Sequence, residues 1–222
     1  MKTEKTLAIV LRRTDFGEAD RIVTLLTSEG KISAIARGAR RQKSKLAGGI
    51  EIFAVNEIVL VKGKSDLRTI VSARMREFFG EILKDFDRTD FAYQTIKTIS
   101  SYAENVENPD FYNILRVTLK SLNDFSIPLS VIKSWFMLNS IMALGIQVNL
   151  LVDNKGNKLS LDSRYIFDGM DKVFVQSPQG VYTADHIKIL RFMAVSEPKN
   201  IALIKEVNNY MSDIEQIVKY FN

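Results

Sequence analysis

Apolar and polar positions recur with a strand-like period over the first third of the chain and with a helical period afterwards. Residues 6–11, 21–27, 31–37, 50–61 and 67–75 form five short runs rich in Val, Ile and Leu. Each is bounded by turn formers: Asp15-Phe16-Gly17-Glu18, Ser28-Glu29-Gly30 and Lys62-Gly63-Lys64-Ser65-Asp66. Such runs, joined by hairpin-length turns, predict strands. Five of them within about 75 residues predict a small closed barrel of the oligonucleotide-binding (OB) type.

From about Asp87 the spacing changes. Ala92, Thr95, Ile96, Ile99, Tyr102 and Ala103 fall on one helical face. Asn108-Pro109 predicts the next helix start, with Asn as N-cap and Pro at the first position, and its buried face is Phe111, Leu115, Leu119 and Leu122. Residues 129–144 are apolar almost all round, which predicts a central helix closed by Gly145. Residues 146–183 mix Asn154, Gly156, Asn157, Gly169, Pro178 and Gly180 with short runs such as Val173-Phe174-Val175, and read as a loop and a small hairpin. Helices resume at 185–195, break at Glu197-Pro198, and end in an amphipathic segment carrying Tyr210, Ile214, Ile217, Val218 and Phe221. The fold class is therefore α+β, with a five-stranded OB barrel over residues 1–79 and a mainly helical domain over 80–222.

Composition sharpens this division. The chain has 222 residues and 46% hydrophobic content, enough for real cores. Residues 1–80 carry 16 Lys and Arg against 9 Asp and Glu, a surplus of seven, whereas residues 81–222 carry 15 against 17, a deficit of two. A one-sided field of this kind predicts a polyanion partner for the first domain. Its densest part is residues 37–45, where Arg37, Arg40, Arg41, Lys43 and Lys45 occur with no acid among them. A cationic loop held between strands can grip a phosphate backbone, because the scaffold fixes where the charges point. A merely solvated loop is the plain alternative. No apolar run approaches the roughly 18 residues of a membrane span. The opening run at residues 7–11 is too short and strand-like for a signal peptide. The absence of cysteine fits a cytoplasmic protein.

Much enzymology is excluded by residue type. Without cysteine there is no thiol nucleophile and no thiolate metal site. His186 is the only histidine and stands near no nucleophile motif, so it reads as an ordinary surface or boundary residue. Neither a Walker A loop nor a G-x-G-x-x-G run is present, so no cofactor is indicated. Asp15, Glu18 and Asp20 could hold a metal, but an acidic turn explains them better. Asp162, Asp168 and Asp171 read as a hairpin turn and not as a calcium loop. Trp135, midway along the most apolar helix, reads as core. Aromatics of the barrel region are few (Phe16, Phe53, Phe78 and Phe79), with Phe53 assigned to packing, so phosphate contacts should dominate over base stacking.

Taken together, residues 16–27, Gly30-Lys31, Ala36-Arg37-Gly38-Ala39-Arg40-Arg41 and Lys43-Ser44-Lys45-Leu46 resemble the bacterial recombination and repair family RecO, in order and spacing. The resemblance implies an N-terminal OB fold, a helical domain, and a DNA-repair mediator that is not an enzyme. It implies binding to single- and double-stranded DNA, strand annealing, and work with RecR to load recombinase on DNA coated by single-stranded-DNA-binding protein, whose acidic C-terminal tail is contacted by the helical domain. It implies a bacterial, cytoplasmic and nucleoid-associated setting. By resemblance the DNA-binding residues are Arg37, Arg40, Arg41, Lys43 and Lys45, joined by Arg12, Arg13 and Arg21 on the same domain. Many members carry a four-cysteine zinc module after the third long helix; residues 149–183 stand there instead, and with no cysteine that module cannot form. The loop at 152–157 and a hairpin around 173–181 are expected to keep its shape through Phe167, Val173 and Val175. The rival readings are an adaptor for acidic peptide tails, in which DNA binding is incidental, and an OB protein for structured RNA.

Overall fold

The computed structural model describes residues 3–62 and 67–220. Most of the predicted 62–66 turn and Phe221 therefore lie outside the described residues. The chain divides into two compact units, Met1–Asn123 and Asp124–Asn222.

In the first unit, β1 (Thr3–Phe16), β2 (Asp20–Thr27), β3 (Gly30–Ala36), β4 (Ala54–Val61) and β5 (Arg68–Phe78) close a barrel in the order β1-β2-β3-β5-β4. All ladders are antiparallel except the short parallel pairing of Ala34 with Arg68 and Ile35 with Thr69. This is the OB topology. β1 is longer than the predicted 6–11 because its two halves serve different neighbours. Thr3 to Ile9 pair with β4 and Ile9 to Phe16 with β2, with an irregularity between Val10 and Arg12 where the strand curls. The polar residues Arg12 to Asp15 remain strand because the backbone ladder, not apolar burial, holds them.

The barrel interior alternates small and large side chains. Ala8, Ala34, Ala36 and Ala73 lie among Val10, Val23, Leu25, Ile50, Ile58, Leu60 and Ile70, which fits the tight taper of a small barrel. β4 starts at Ala54, four residues later than predicted. The preceding segment makes a 3-10 turn, Ala47–Gly49, and Phe53 adopts φ 57. Phe53 is 2% exposed and its ring lies 4.8 Å from that of Tyr93, so its role is packing.

Two helices complete this unit. α1 (Phe86–Asn105) is capped by the Asp85 carboxylate, which accepts from the Arg88 N–H at 2.8 Å. It buries Phe91, Ala92, Thr95, Ile96 and Ile99 and contacts β1 and β3. The Lys31 ammonium bridges from β3 to the Ser100 carbonyl and the Glu104 carboxylate. α2 (Asp110–Leu122) has Pro109 in the cap position, one residue later than predicted, although Asn108 Oδ1 does accept from the Asp110 N–H. The strands thus end at Phe78, while the compact unit continues through α2 to Asn123.

The second unit is built on α3 (Leu129–Ala143), closed by Gly145 at φ 83. It packs against α6 (Asn208–Lys219), with α4 (Ala184–Met193) and α5 (Pro198–Ile201) alongside. Trp135 is core, its indole N–H donating to the Ser196 carbonyl at 2.7 Å. His186, expected at the surface or its boundary, is buried. It is 5% exposed, its Nδ1 accepts from the Thr183 N–H in a capping box, and its Nε2 meets Asp213 at 3.1 Å.

Between α3 and α4 lies the small hairpin of β6 (Tyr165–Asp168) and β7 (Val173–Gln176). The predicted hairpin over 173–181 is therefore shifted: its first strand, β7, pairs backward with β6, and Tyr182 adds only a bridge to Tyr165. Its centre is Phe174, fully buried with edge-on contacts to Tyr165, Phe167 and Tyr182. The 152–157 loop is organised by Asp153, 5% exposed, whose carboxylate accepts from the N–H groups of Lys155 and Asn157 and from the Asn157 amide. Burial pushes this carboxyl up, but those hydrogen bonds and the Lys155 charge outweigh it and hold the group below its usual range. A depressed folded value means that its stabilisation is present above the ordinary carboxylate range and is lost as pH falls through the folded value. Acid titration is thus expected to release the 152–157 loop. Amide exchange at Lys155 and Asn157 should rise below about pH 4, and Asp153→Ala should show the same rise at neutral pH. Exchange in that variant equal to the native chain's would refute the role.

Candidate nucleic-acid interface

The loop between β3 and β4 is a string of tight turns. The Arg41 N–H donates to the Gly38 carbonyl (3.1 Å), Ser44 to Arg41 (2.9 Å) and Gly49 to Leu46 (3.0 Å). Ala39 and Ile50 are buried in the barrel core, with Leu46 packed against it, so the loop is anchored by its apolar residues. Its charged residues are left outside. Arg37, Arg41, Lys43 and Lys45 are all exposed.

The loop is also clamped to the β1–β2 turn. Gly38 donates to Asp20 Oδ1 at 2.7 Å, and the Arg40 N–H donates to the Ala19 carbonyl at 2.8 Å. The Arg40 guanidinium reaches the Gly17 carbonyl at 3.3 Å and Asp15 at 3.4 Å. Asp15 also accepts from Arg21 Nε at 3.0 Å. The acidic group of Asp15 and Asp20 is therefore the partner of the basic loop. Among the described residues, no cluster of three or more His, Asp or Glu could hold a metal.

This geometry divides the eight nominated cations. Arg13 is committed to Glu51 at 2.9 Å, Arg21 to Asp15, and Arg40 to Asp15 and Gly17. Among the described residues, the side chains of Arg12, Arg37, Arg41, Lys43 and Lys45 form no hydrogen bond or ion pair, leaving their charge for a ligand. Arg12 stands opposite Thr24, which stands opposite Ser33, so these three share the outer face of the β1-β2-β3 meander. Of the four aromatics, Phe53 and Phe79 are buried, whereas Phe78 is 47% exposed at the end of β5 and Phe16 is 51% exposed beside the β1–β2 turn. The sequence pattern missed the clamp. Its signal was the pair of acids at 15 and 20 flanking Gly17, which charge complementarity with the loop could have connected.

Arg40 is thus expected to act on position and not on phosphate. Each single-strand phosphate contact contributes about 0.7 to the slope of log affinity against log salt. Arg41→Ala should reduce that slope by about 0.7. Arg40→Ala should weaken binding with the slope unchanged, since the clamp is lost while the phosphate contacts remain. A fall of about 0.7 for Arg40→Ala in the salt series would assign it to phosphate instead.

Comparison with known proteins extends these observations. Residues 1–79 match the family model described as the recombination protein O N-terminal domain. The chain is 38% identical over 120 residues to the DNA repair protein RecO of Roseiflexus sp. (strain RS-1), a match covering 54% of this chain and 42% of the relative. It is 39% identical over 119 residues to that of Acetivibrio thermocellus, covering 53% and 46%. In these two matches the chain spans less than half of the relative's length. The RecO of Dehalococcoides mccartyi (strain CBDB1) is 28% identical over 226 residues, covering 97% of this chain and 87% of the relative.

Proposed function

We propose that this protein is a recombinational-repair mediator, because residues 1–79 match the model of the recombination protein O N-terminal domain and the chain is similar to a DNA repair protein RecO over 97% of its length. In this reading it binds and anneals single-stranded DNA, binds duplex DNA, and acts without covalent chemistry. Residues 1–79 supply the DNA-binding domain and residues 80–222 the helical domain. Its partners are RecR and the acidic C-terminal tail of single-stranded-DNA-binding protein, and its place is the bacterial cytoplasm at the nucleoid. The partners and the place rest on the family resemblance alone.

One observation carries the DNA-binding part: four exposed cations without a hydrogen-bond or ion-pair partner among the described residues, Arg37, Arg41, Lys43 and Lys45, on a loop fixed from both sides. Held side by side with no acid among them, they offer a strand a row of phosphate contacts. Reducing the charge of two complementary strands in this way favours their pairing.

The test is fluorescence anisotropy of a labelled thymine oligomer across a salt series. Four contacts predict a slope of about −2.8, and Arg12 as a fifth would bring it to about −3.5. A flat series would overturn the reading. Tighter binding of an acidic peptide than of the oligomer at moderate salt would favour an adaptor.

A further inference from the structure

Outside the barrel, a cleft opens at the strand-end side of the β6–β7 hairpin. It encloses about 590 Å³ and is lined by Asn154, Lys155, Ser163, Arg164, Gln176 and Ser177, with Asp162 the one acid among its lining residues. A volume of this size is within the range of small-ligand sites. The two cations come from different segments, and each is held by its backbone. The Lys155 N–H donates to the buried Asp153 carboxylate at 2.8 Å, which fixes the loop tip. The Arg164 carbonyl accepts from the Ser177 N–H at 2.9 Å, and its Nη1 donates to the Gly180 carbonyl at 3.3 Å, so most of the guanidinium donors are left over. Among the described residues, the Lys155 ammonium forms no hydrogen bond or ion pair.

The hairpin is electrically polarised. Asp168 and Asp171 outnumber the single cation Lys172 in the turn at its other end, where Asp168 accepts from the N–H groups of Met170 and Asp171. At the cleft end, neutral donors surround the two cations: Gln176 already donates to Ser163 Oγ at 3.0 Å, which sets both side chains along the wall. Among the described residues, the apolar lining comes from Val175 and Pro178, with no aromatic ring. Such a wall suits a phosphodiester and offers no slot in which a base would stack.

We infer that the Lys155–Arg164 cleft binds the phosphate backbone of a nucleic-acid strand, a contact carried by the second unit and separate from the basic loop of the barrel. The inference rests on the strand-binding reading above, and adds two phosphate contacts to those that the basic loop offers the same strand.

The experiment uses the full chain and the same labelled thymine oligomer. Lys155→Glu combined with Arg164→Glu should reduce the salt slope by about 1.4, the value for two single-strand phosphate contacts. Arg164→Lys alone should keep the slope, since it keeps the charge, and Lys172→Glu in the hairpin turn should leave it unchanged. No binding by the native chain would overturn the repair-mediator reading as a whole. Native binding with an unchanged slope in the double variant, whose circular dichroism and Tm match the native chain, would overturn the cleft alone. Backbone amide shifts at 163–177 that inorganic phosphate reproduces in full would assign the cleft to free phosphate and overturn the strand contact.

Discussion

Changing Arg37, Arg41, Lys43 and Lys45 together to Glu is expected to weaken oligomer binding by about 100-fold or more near 0.1 M salt and to flatten its salt dependence. The argument is one of counterions. A strand that meets four cations releases about 0.7 counterion for each, so affinity should fall about 50-fold between 50 and 200 mM salt for the native chain. Reversing the charges removes that release and adds repulsion. The substitution should leave the fold intact. These four side chains are exposed, and the loop is held by Ala39, Leu46 and Ile50 inside and by Arg40, Asp15 and Asp20 at the turn. A folded variant that binds with the native slope would show the loop to be solvated surface.

Gly49→Ala is expected to destabilise the barrel by on the order of 3 kcal/mol, more than any surface change proposed above. A Cβ there would lie 2.2 Å from the Ala73 carbonyl carbon, 2.3 Å from its oxygen and 2.6 Å from its Cβ. Two of these atoms are backbone of β5, so no rotamer change relieves the clash and the strand itself must move. Gly48, with nothing within 4 Å of its would-be Cβ, is the matched control. Thermal unfolding should show the Gly49→Ala transition lower by on the order of 10–15 °C and the Gly48→Ala transition close to native. Equal values for the two variants would mean that β5 can yield at Ala73.

The strands and helices were legible because their periods differ and their turns are marked by Gly, Pro and Asn. Phe111, Leu115, Leu119 and Leu122 read correctly as buried, within a wider face that also takes in Ile114, Val117, Thr118 and Ser121. What escaped the sequence depends on contacts distant in the chain. The second half of β1 is polar and gives no apolar alternation; only its ladder to β2 makes it strand. Phe53 in a left-handed backbone looks like an ordinary strand residue until Tyr93 and the bend before β4 are in view. Arg40 looks the same as Arg37 and Arg41 in the loop, and differs only because the chain brings Asp15 and Gly17 to it. His186 has the sequence surroundings of a surface residue, yet α6 supplies Asp213 and Tyr210 to cover it. Burial and pairing of single polar side chains are set by tertiary neighbours, which local periodicity does not encode.

The divided loyalty of β1 bears on the order in which the barrel can assemble. Ile9 is shared, pairing with Leu26 on one side and Val55 on the other. A chain emerging from the ribosome as far as Thr27 can zip Ile9 to Phe16 against β2, a local hairpin with little loop to close. The first half of β1 must wait until Val55 to Val61 arrive, about fifty residues later in the sequence. Until then it is an unpaired sheet edge, open to any other strand in reach. The first residue of this strand, Thr3, meets its mate, Val61, near the end of β4, so the barrel's closing seam joins the earliest-made strand to one of the last.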